Sequence, residues 1–296
     1  MPTIDLVEEK VAACQTTKLV LRFFDGKEAE AVIIPQKGYS TLCLSSQVGC
    51  ARGCTFCVTA SMGLKRNLQV GEIVGQVWMA QNIAQKYDLP PLRNLVFMGM
   101  GEPLDNLEGV SEALKILQSP QAFAFGPNRI TLSTVGPSPK AILAATELNL
   151  RWAWSLHAAD QALRRRLIPT ASHRPETLRD AFAKILRPPR DDLFIEITLM
   201  DGVNDSAEHA MAIADFLAPL PQQCRINLIP MNPGRGKDRP SLPETVEKFR
   251  HLLIQKGFIC IIRHPRGDDT SAACGQLVRQ ITQREKEPRL HQLEHH

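Results

Sequence analysis

The chain has 296 residues, with 35 Lys and Arg against 31 Asp and Glu, a formal net charge of +4 and 44% hydrophobic residues. These proportions suit a soluble globular protein with apolar material for one large core or two modest ones. No run approaches the roughly 18 apolar residues of a membrane span, and no charged start leads into an apolar signal segment, so a cytoplasmic protein without membrane contact is expected.

The first forty residues carry the run Lys18 to Phe24, the turn pair Asp25-Gly26 and the run Glu28 to Ile34. Asp-Gly between two alternating runs predicts a β-hairpin, which makes residues 1–40 a small β extension. From Thr41 onward, short apolar runs alternate with amphipathic stretches. The runs start at Thr41, Asn94, Arg129, Arg151, Leu193, Arg225 and Phe258, and helices are predicted over about 71–87, 107–118, 138–148, 160–167, 175–187, 205–218, 243–256 and 271–284. This rhythm predicts an α/β fold, a full or partial (β/α) barrel of six or seven strands over residues 41–292. Residues 293–296 resemble the start of a histidine tag and are left out of the fold and the chemistry.

Polar, Gly- or Pro-rich segments follow the predicted strands, among them Gly99 to Pro103, Ser133 to Gly136, Ser155 to Ala158, Pro230 to Pro233 and Arg266 to Asp269. In a barrel they gather at the carboxyl ends of the strands, where active sites are built. The segments Pro188 to Asp192 and Gly234 to Pro240 read as an exposed connection and a charged loop.

Eight cysteines are unevenly placed. Cys50, Cys54 and Cys57 stand at C-x3-C-x2-C spacing directly after a predicted strand. A tight loop can turn three soft thiolates toward one iron–sulfur cluster and leave a fourth position without a protein ligand. A structural zinc site wants four closed ligands, and no fourth Cys or His follows at finger-like spacing. Cys14, Cys224 and Cys260 read as small buried hydrophobes.

The cysteine spacing resembles the radical S-adenosylmethionine (SAM) superfamily. Cys43 to Cys50, Met98 to Leu104, Ser155 to Ala158, Pro230 to Pro233 and Arg266 to Leu277 narrow the resemblance to the RlmN/Cfr-type RNA adenine methyltransferases, from Glu30 to about Leu277. It implies a [4Fe–4S] cluster on Cys50, Cys54 and Cys57 whose open iron holds SAM. Gly101 and Glu102 then lie near the methionine amino group, and Ser133, Ser155, Leu156, His157 and Asn232 contact the rest of SAM. Cys274 matches the methyl-carrying thiol, Cys43 the thiol that releases the product through a disulfide, and Glu30 the proton acceptor. Two SAM molecules per turnover and an electron donor such as flavodoxin are implied for a chain expected to be a monomer. Arg266-Gly-Asp-Asp269 resembles the adenine C2 methylases more than the C8 methylases.

Read without the resemblance, Glu30 is a solvated strand residue, His157 a hydrogen-bonded strand-end histidine, and Cys43 and Cys274 structural thiols. Basic clusters at Lys65-Arg66, Arg164 to Arg166, Arg187 with Arg190, Arg235 with Lys237 and Arg239, and Arg279 to Arg289 are either solvated faces or contacts for RNA phosphates. Aromatics make up only 5%, so no platform for stacking several bases is evident and a target base has to be flipped out of its stack. Family members usually carry a further helical domain before the hairpin, where this sequence has about forty residues. Ribosomal RNA, transfer RNA and a nucleotide or natural-product precursor therefore stand as candidate substrates, beside a metal-stapled RNA-binding module without catalysis.

Overall fold

The computed structural model describes residues 4–187, 191–220, 223–232 and 238–263. Strands β1 (Asp5–Val11), β2 (Thr17–Arg22) and β3 (Glu28–Gln36) pair antiparallel, and β3 pairs antiparallel with β4 (Tyr39–Cys43). A two-residue ribbon, β5 (Gln47–Val48) with β6 (Arg66–Asn67), brackets the cysteine loop. Then follow α1 (Val70–Lys86), β7 (Leu92–Phe97), α2 (Leu107–Gln118), β8 (Ile130–Thr134), α3 (Pro139–Ala144), β9 (Arg151–Ser155), α4 (Gln161–Leu167), α5 (Pro175–Ile185), β10 (Leu193–Leu199), α6 (Ala207–Leu217), β11 (Cys224–Pro230), α7 (Pro243–Gln255) and β12 (Ile259–Ile262).

One sheet carries ten of the strands in the order β1-β2-β3-β4-β7-β8-β9-β10-β11-β12. The seven from β4 to β12 run parallel, each joined to the next by a helical crossover. On its other side β4 pairs with β3 and not with β12, so the barrel is partial. The hairpin continues the sheet.

Strand parity sorts the side chains. Leu19, Ile33, Leu42, Leu95, Leu132, Trp152, Ile195, Ile197, Ile226 and Leu228 are at most 3% exposed and form the apolar layer of the main core. The other parity is traced through the registers. Glu30 lies two residues from Val32, which pairs with Cys43, and Cys43 pairs with Val96, two residues before Met98. Val96 pairs with Thr131, Ser133 with Ala153, Ser155 with Glu196, and Thr198 with Ile229. Because partners in register share a face, Glu30, Cys43, Met98, Ser133, Ser155, Glu196, Thr198 and Ile229 point to one side.

The structure corrects several expectations. Strand β1 was not expected, because Glu8-Glu9-Lys10 breaks its apolar alternation. The helix expected over 138–148 ends at Ala144, where Thr146 and Leu148 donate backbone hydrogen bonds in successive turns. Cys14 is exposed, since it sits in the turn between β1 and β2 with its thiol 3.2 Å from Thr16 Oγ1, whereas Cys224 and Cys260 are buried as expected. The helix expected over 271–284 lies outside the described residues.

Arg66 anchors the hairpin to the body. Its guanidinium donates to both carboxylate oxygens of Asp25 at 2.7 and 2.9 Å and to both of Glu72 at 2.7 and 2.8 Å. Glu72 is fully buried and also accepts from the Gln69 backbone at 2.8 Å, closing the capping box of α1. These ties withdraw Arg66 from the set of candidate RNA contacts. Removing one partner of a buried pair leaves the other charge unmet. Arg66→Ala is therefore expected to lower stability by about 3 kcal/mol in urea denaturation, well beyond the ~1 kcal/mol that an exposed pair contributes.

Candidate active site

The cysteine loop leaves β5 through Gly49, whose φ of 75° lies in the left-handed region. Within the loop the backbone N–H of Cys57 donates to Cys54 O at 3.1 Å. The carboxyl end of α4 holds the loop from outside: Leu167 O accepts from Thr55 N at 3.0 Å, and Thr170 Oγ1 donates to Arg52 O at 3.0 Å. The Arg52 side chain is paired with Asp105. The approach from β4 is held by buried amides. Gln76 bonds both backbone groups of Ser45 at 2.9 and 3.0 Å, and Asn106 donates to Ser46 O at 2.8 Å.

Cys50, Cys54 and Cys57 line a single cavity with Gly99, Gly101, Glu102, Ser133, Ser155, His157 and Asn232. It encloses about 1020 Å³ of space open to solvent. Burial pushes the Cys50 thiol up to about 11 and Cys54 higher still. Such thiols become thiolates at neutral pH when a cation replaces the proton, which is the chemistry of iron–sulfur ligation. The donor set therefore fits a cluster. Among the described residues, no group of three His, Cys, Asp or Glu side chains has the arrangement of a site for one metal ion.

The residues expected to meet SAM are brought together. Glu102 is buried and accepts from Leu104 N at 3.0 Å and Val135 N at 2.9 Å, while its own N–H donates to Gln47 Oε1 at 2.9 Å. Burial outweighs these bonds and raises its carboxyl to about 7. The Ser133 and Ser155 hydroxyls lie 3.2 Å apart on neighbouring strands. Gly101 has a φ of 105°, and a Cβ there would stand 2.6 Å from Gln47 Cβ. Packing against the loop thus demands glycine before any ligand does. Leu156 is buried in the core behind the site and does not line the cavity.

His157 adopts a left-handed φ of 59°, which is uncommon for a residue with a side chain. Its Nδ1 accepts from Thr198 N at 3.0 Å, and its carbonyl accepts from Asn204 Nδ2 at 3.0 Å, so the turn after β9 is tied to β10. The ring meets Phe56 of the cysteine loop edge-on, with centroids 4.7 Å apart. With Nδ1 accepting, the proton resides on Nε2. Burial, helped by the Arg164 charge, lowers this imidazole to about 3.

Glu30 and Cys43 extend the same face. Glu30 is 2% exposed, its Oε1 is 3.6 Å from Lys18 Nζ, and neither carboxylate oxygen has a hydrogen-bond partner among the described residues. Burial raises it to about 7 against the pull of Lys18. The solvated reading of Glu30 is thereby overturned. Cys43 is buried on β4, and no disulfide links the described cysteines. Cys274 and the Arg266 to Asp269 segment lie outside the described residues.

Sequence reading passed over four supports of the site: Gln47, Arg52, Glu196 and Asn227. Glu196 lines the cavity and accepts from Asn227 Nδ2 at 2.8 Å. A charged residue at an inward position of a buried strand was the available signal. The basic clusters divide. Lys65, Arg165, Arg166, Arg187 and Arg239 are exposed, whereas Arg164 is fully buried and cannot touch RNA. Arg190, Arg235, Lys237 and the run from Arg279 to Arg289 lie outside the described residues. No helix among the described residues is long and apolar enough to cross a membrane.

Three thiols beside a strand-end cavity of an open (β/α) barrel have the arrangement of an enzyme class that couples an iron–sulfur cluster to a cosubstrate. Residues 44–216 match the radical SAM superfamily. A crystal structure of a radical SAM methyltransferase from Sphaerobacter thermophilus superposes with a TM-score of 0.88 at 37% identity, covering 93% of this chain and 81% of that one. Dual-specificity RNA methyltransferases RlmN are similar too. That of Marinobacter nauticus is 40% identical, over 95% of this chain and 77% of its own length. That of Lawsonia intracellularis is 44% identical, over 88% of this chain and 75% of its own. The chain belongs to the radical SAM superfamily and, within it, to the RlmN-type methyltransferases. The non-catalytic binding module is thereby set aside.

The folded-state value of about 3 for His157 lies below the ordinary 6.5, so the unfolded chain binds the extra proton between them. This group's contribution to stability is present above pH 6.5 and is lost as the pH falls toward 3. Nitrogen-detected NMR of the ring is expected to show a neutral Nε2–H imidazole at pH 5; a charged ring at that pH would contradict the arrangement.

Proposed function

We propose that the protein methylates a ring carbon of adenine in RNA, C2 rather than C8, by way of an S-methylated cysteine. The observation that carries this reading is the shared face. Glu30 and Cys43 stand on the same side of one continuous sheet as Met98, Ser133, Ser155 and Glu196, which line the cavity of the three thiols. A reductively cleaved cosubstrate needs only the cluster loop. A buried acid and a buried thiol on that same face add the means to handle a proton and a covalent bond.

The assignment by residue is as follows. Cys50, Cys54 and Cys57 hold the cluster, which when bound with SAM supplies the radical that activates a methyl group. The backbone around Gly101 and the Glu102 carboxylate receive the methionine ammonium, and Ser133, Ser155, His157 and Asn232 receive the carboxylate and nucleoside. Cys274 would give up its proton and carry a methyl group supplied by SAM, and the radical chemistry that the cluster and a further SAM would supply removes one hydrogen atom from that methyl. Once the carbon radical had added to the adenine ring, Glu30 would accept the proton of that ring carbon, and the oxidised cluster would be the acceptor for the adduct's unpaired electron. Cys43 attacks the Cys274 sulfur, forms a disulfide and frees the methylated base, and an external electron donor restores both thiols. A carboxyl poised near 7 suits a base working at neutral pH.

Methylation is expected to rise with pH through about 7, where Glu30 ionises, and then level off. Glu30→Gln should remove that limb and slow turnover by about 10²–10⁴-fold. Cys274→Ala should abolish methyl transfer while reductive SAM cleavage continues. In Cys43→Ala a covalent Cys274–nucleotide adduct should accumulate, read by mass spectrometry. Incubation with labelled SAM and ribosomal RNA, transfer RNA or free nucleotides identifies the substrate; label in free nucleotides alone would overturn the RNA assignment.

A further inference from the structure

Arg164 lies on α4 and is fully buried, while Arg165 and Arg166 beside it are exposed. Its guanidinium donates through Nη2 to Val135 O, the carbonyl that also accepts from Trp154 Nε1 at 3.3 Å. Its Nε and Nη1 have no hydrogen-bond partner, and no carboxylate pairs with it among the described residues. The Trp154 ring lies 6.0 Å from the guanidinium carbon. An unpaired buried cation is costly, and this one cannot shed its proton at physiological pH.

The acidic groups that act on Arg164 are Cys54 and Glu102. Both belong to the site, and α4 itself holds the cysteine loop through Leu167 O. Arg164 does not line the cavity, but Val135, whose carbonyl it bonds, does, so the guanidinium stands directly behind that part of the wall. A four-iron cluster on three thiolates is negative in its oxidised form, because three thiolates outweigh the two positive charges of the core. Reduction adds one more negative charge.

We propose that Arg164 is the fixed counter-charge of the cysteine-bound cluster, a positioning residue that makes its one-electron reduction easier. This rests on the cluster assignment made above. It explains why a guanidinium is retained where its own hydrogen bonds are unmet: the acidic groups that act on it, Cys54 and Glu102, belong to the site, and the cation finds its full partner in the thiolate-held cluster. The cost of burying the cation falls on the protein without iron, and the gain appears in the reduced protein.

The test compares the parent, Arg164→Met and Arg164→Lys, each reconstituted anaerobically and titrated with dithionite while the reduced cluster is followed by electron paramagnetic resonance. Arg164→Met should reduce at least tenfold less favourably, a fall of about 59 mV for a one-electron couple. Arg164→Lys should restore most of the difference. The iron-free Arg164→Met protein should melt no lower than the iron-free parent, since an unpaired charge has been replaced by an apolar stem. An unchanged potential in Arg164→Met overturns the proposal. So does an iron-free Arg164→Met protein that melts well below the parent, which would assign the arginine to packing. If the parent itself binds no four-iron cluster, the functional reading fails first, a result distinct from either.

Discussion

The pairing of β3 with the outer edge of β4 is the constraint on which the molecule depends. It occupies the edge that β12 would need to close the cylinder. A closed parallel barrel fills its interior with side chains. Here the sheet stays open, and its concave face is free to be polar: Ser133, Ser155, Glu196, Thr198 and Asn227 stand where a closed barrel would carry branched aliphatics. The same pairing brings the N-terminal strands into register with the face that lines the cavity, so that Glu30 and Cys43 are set by hydrogen-bonded strands.

Electrostatics within this open bowl follow from burial more than from pairing. Glu30 and Glu102 are both raised to about 7, the Cys50 and Cys54 thiols are raised and His157 is lowered, and in each case loss of water is the largest cause. The site thus favours neutral groups while it is dry, and a permanent cation without a carboxylate partner among the described residues, Arg164, stands behind it. Neutral acids and thiols become negative when a positively charged ligand arrives, which is how a cavity of this kind admits iron and a sulfonium cosubstrate.

Much of this was legible in the sequence. C-x3-C-x2-C after a strand marked the cysteine loop that lines the cavity, and the alternation of runs marked the parallel sheet, because both signals are local. The role of parity was less visible. Thr131 and Ser133 in β8, or Glu196 in β10, read as interruptions of apolar runs until the registers show that they share a face. Strand β1 was hidden by its charges, and Arg164 was hidden among three arginines whose separate fates depend on helix phase. At α4 one turn buries the first and exposes the next two. The buried amides Gln76 and Asn106 carried no signal, since their partners are backbone groups distant in sequence.

The sheet has a second consequence at its far end. An open sheet keeps edges, and among the described residues the outermost strand at one of them is β1, whose outer backbone groups find no strand partner there and could template another chain. Glu8, Glu9 and Lys10 sit on that strand, with Glu8 and Lys10 paired to each other at 3.2 Å and Glu9 engaged by Lys86 and Tyr87 of the α1 end. An incoming strand would have to strip water from these charges. The irregular, charged segment that obscured β1 in the sequence is thus a guard against edge-to-edge aggregation, the hazard that an unclosed barrel carries with its accessible site.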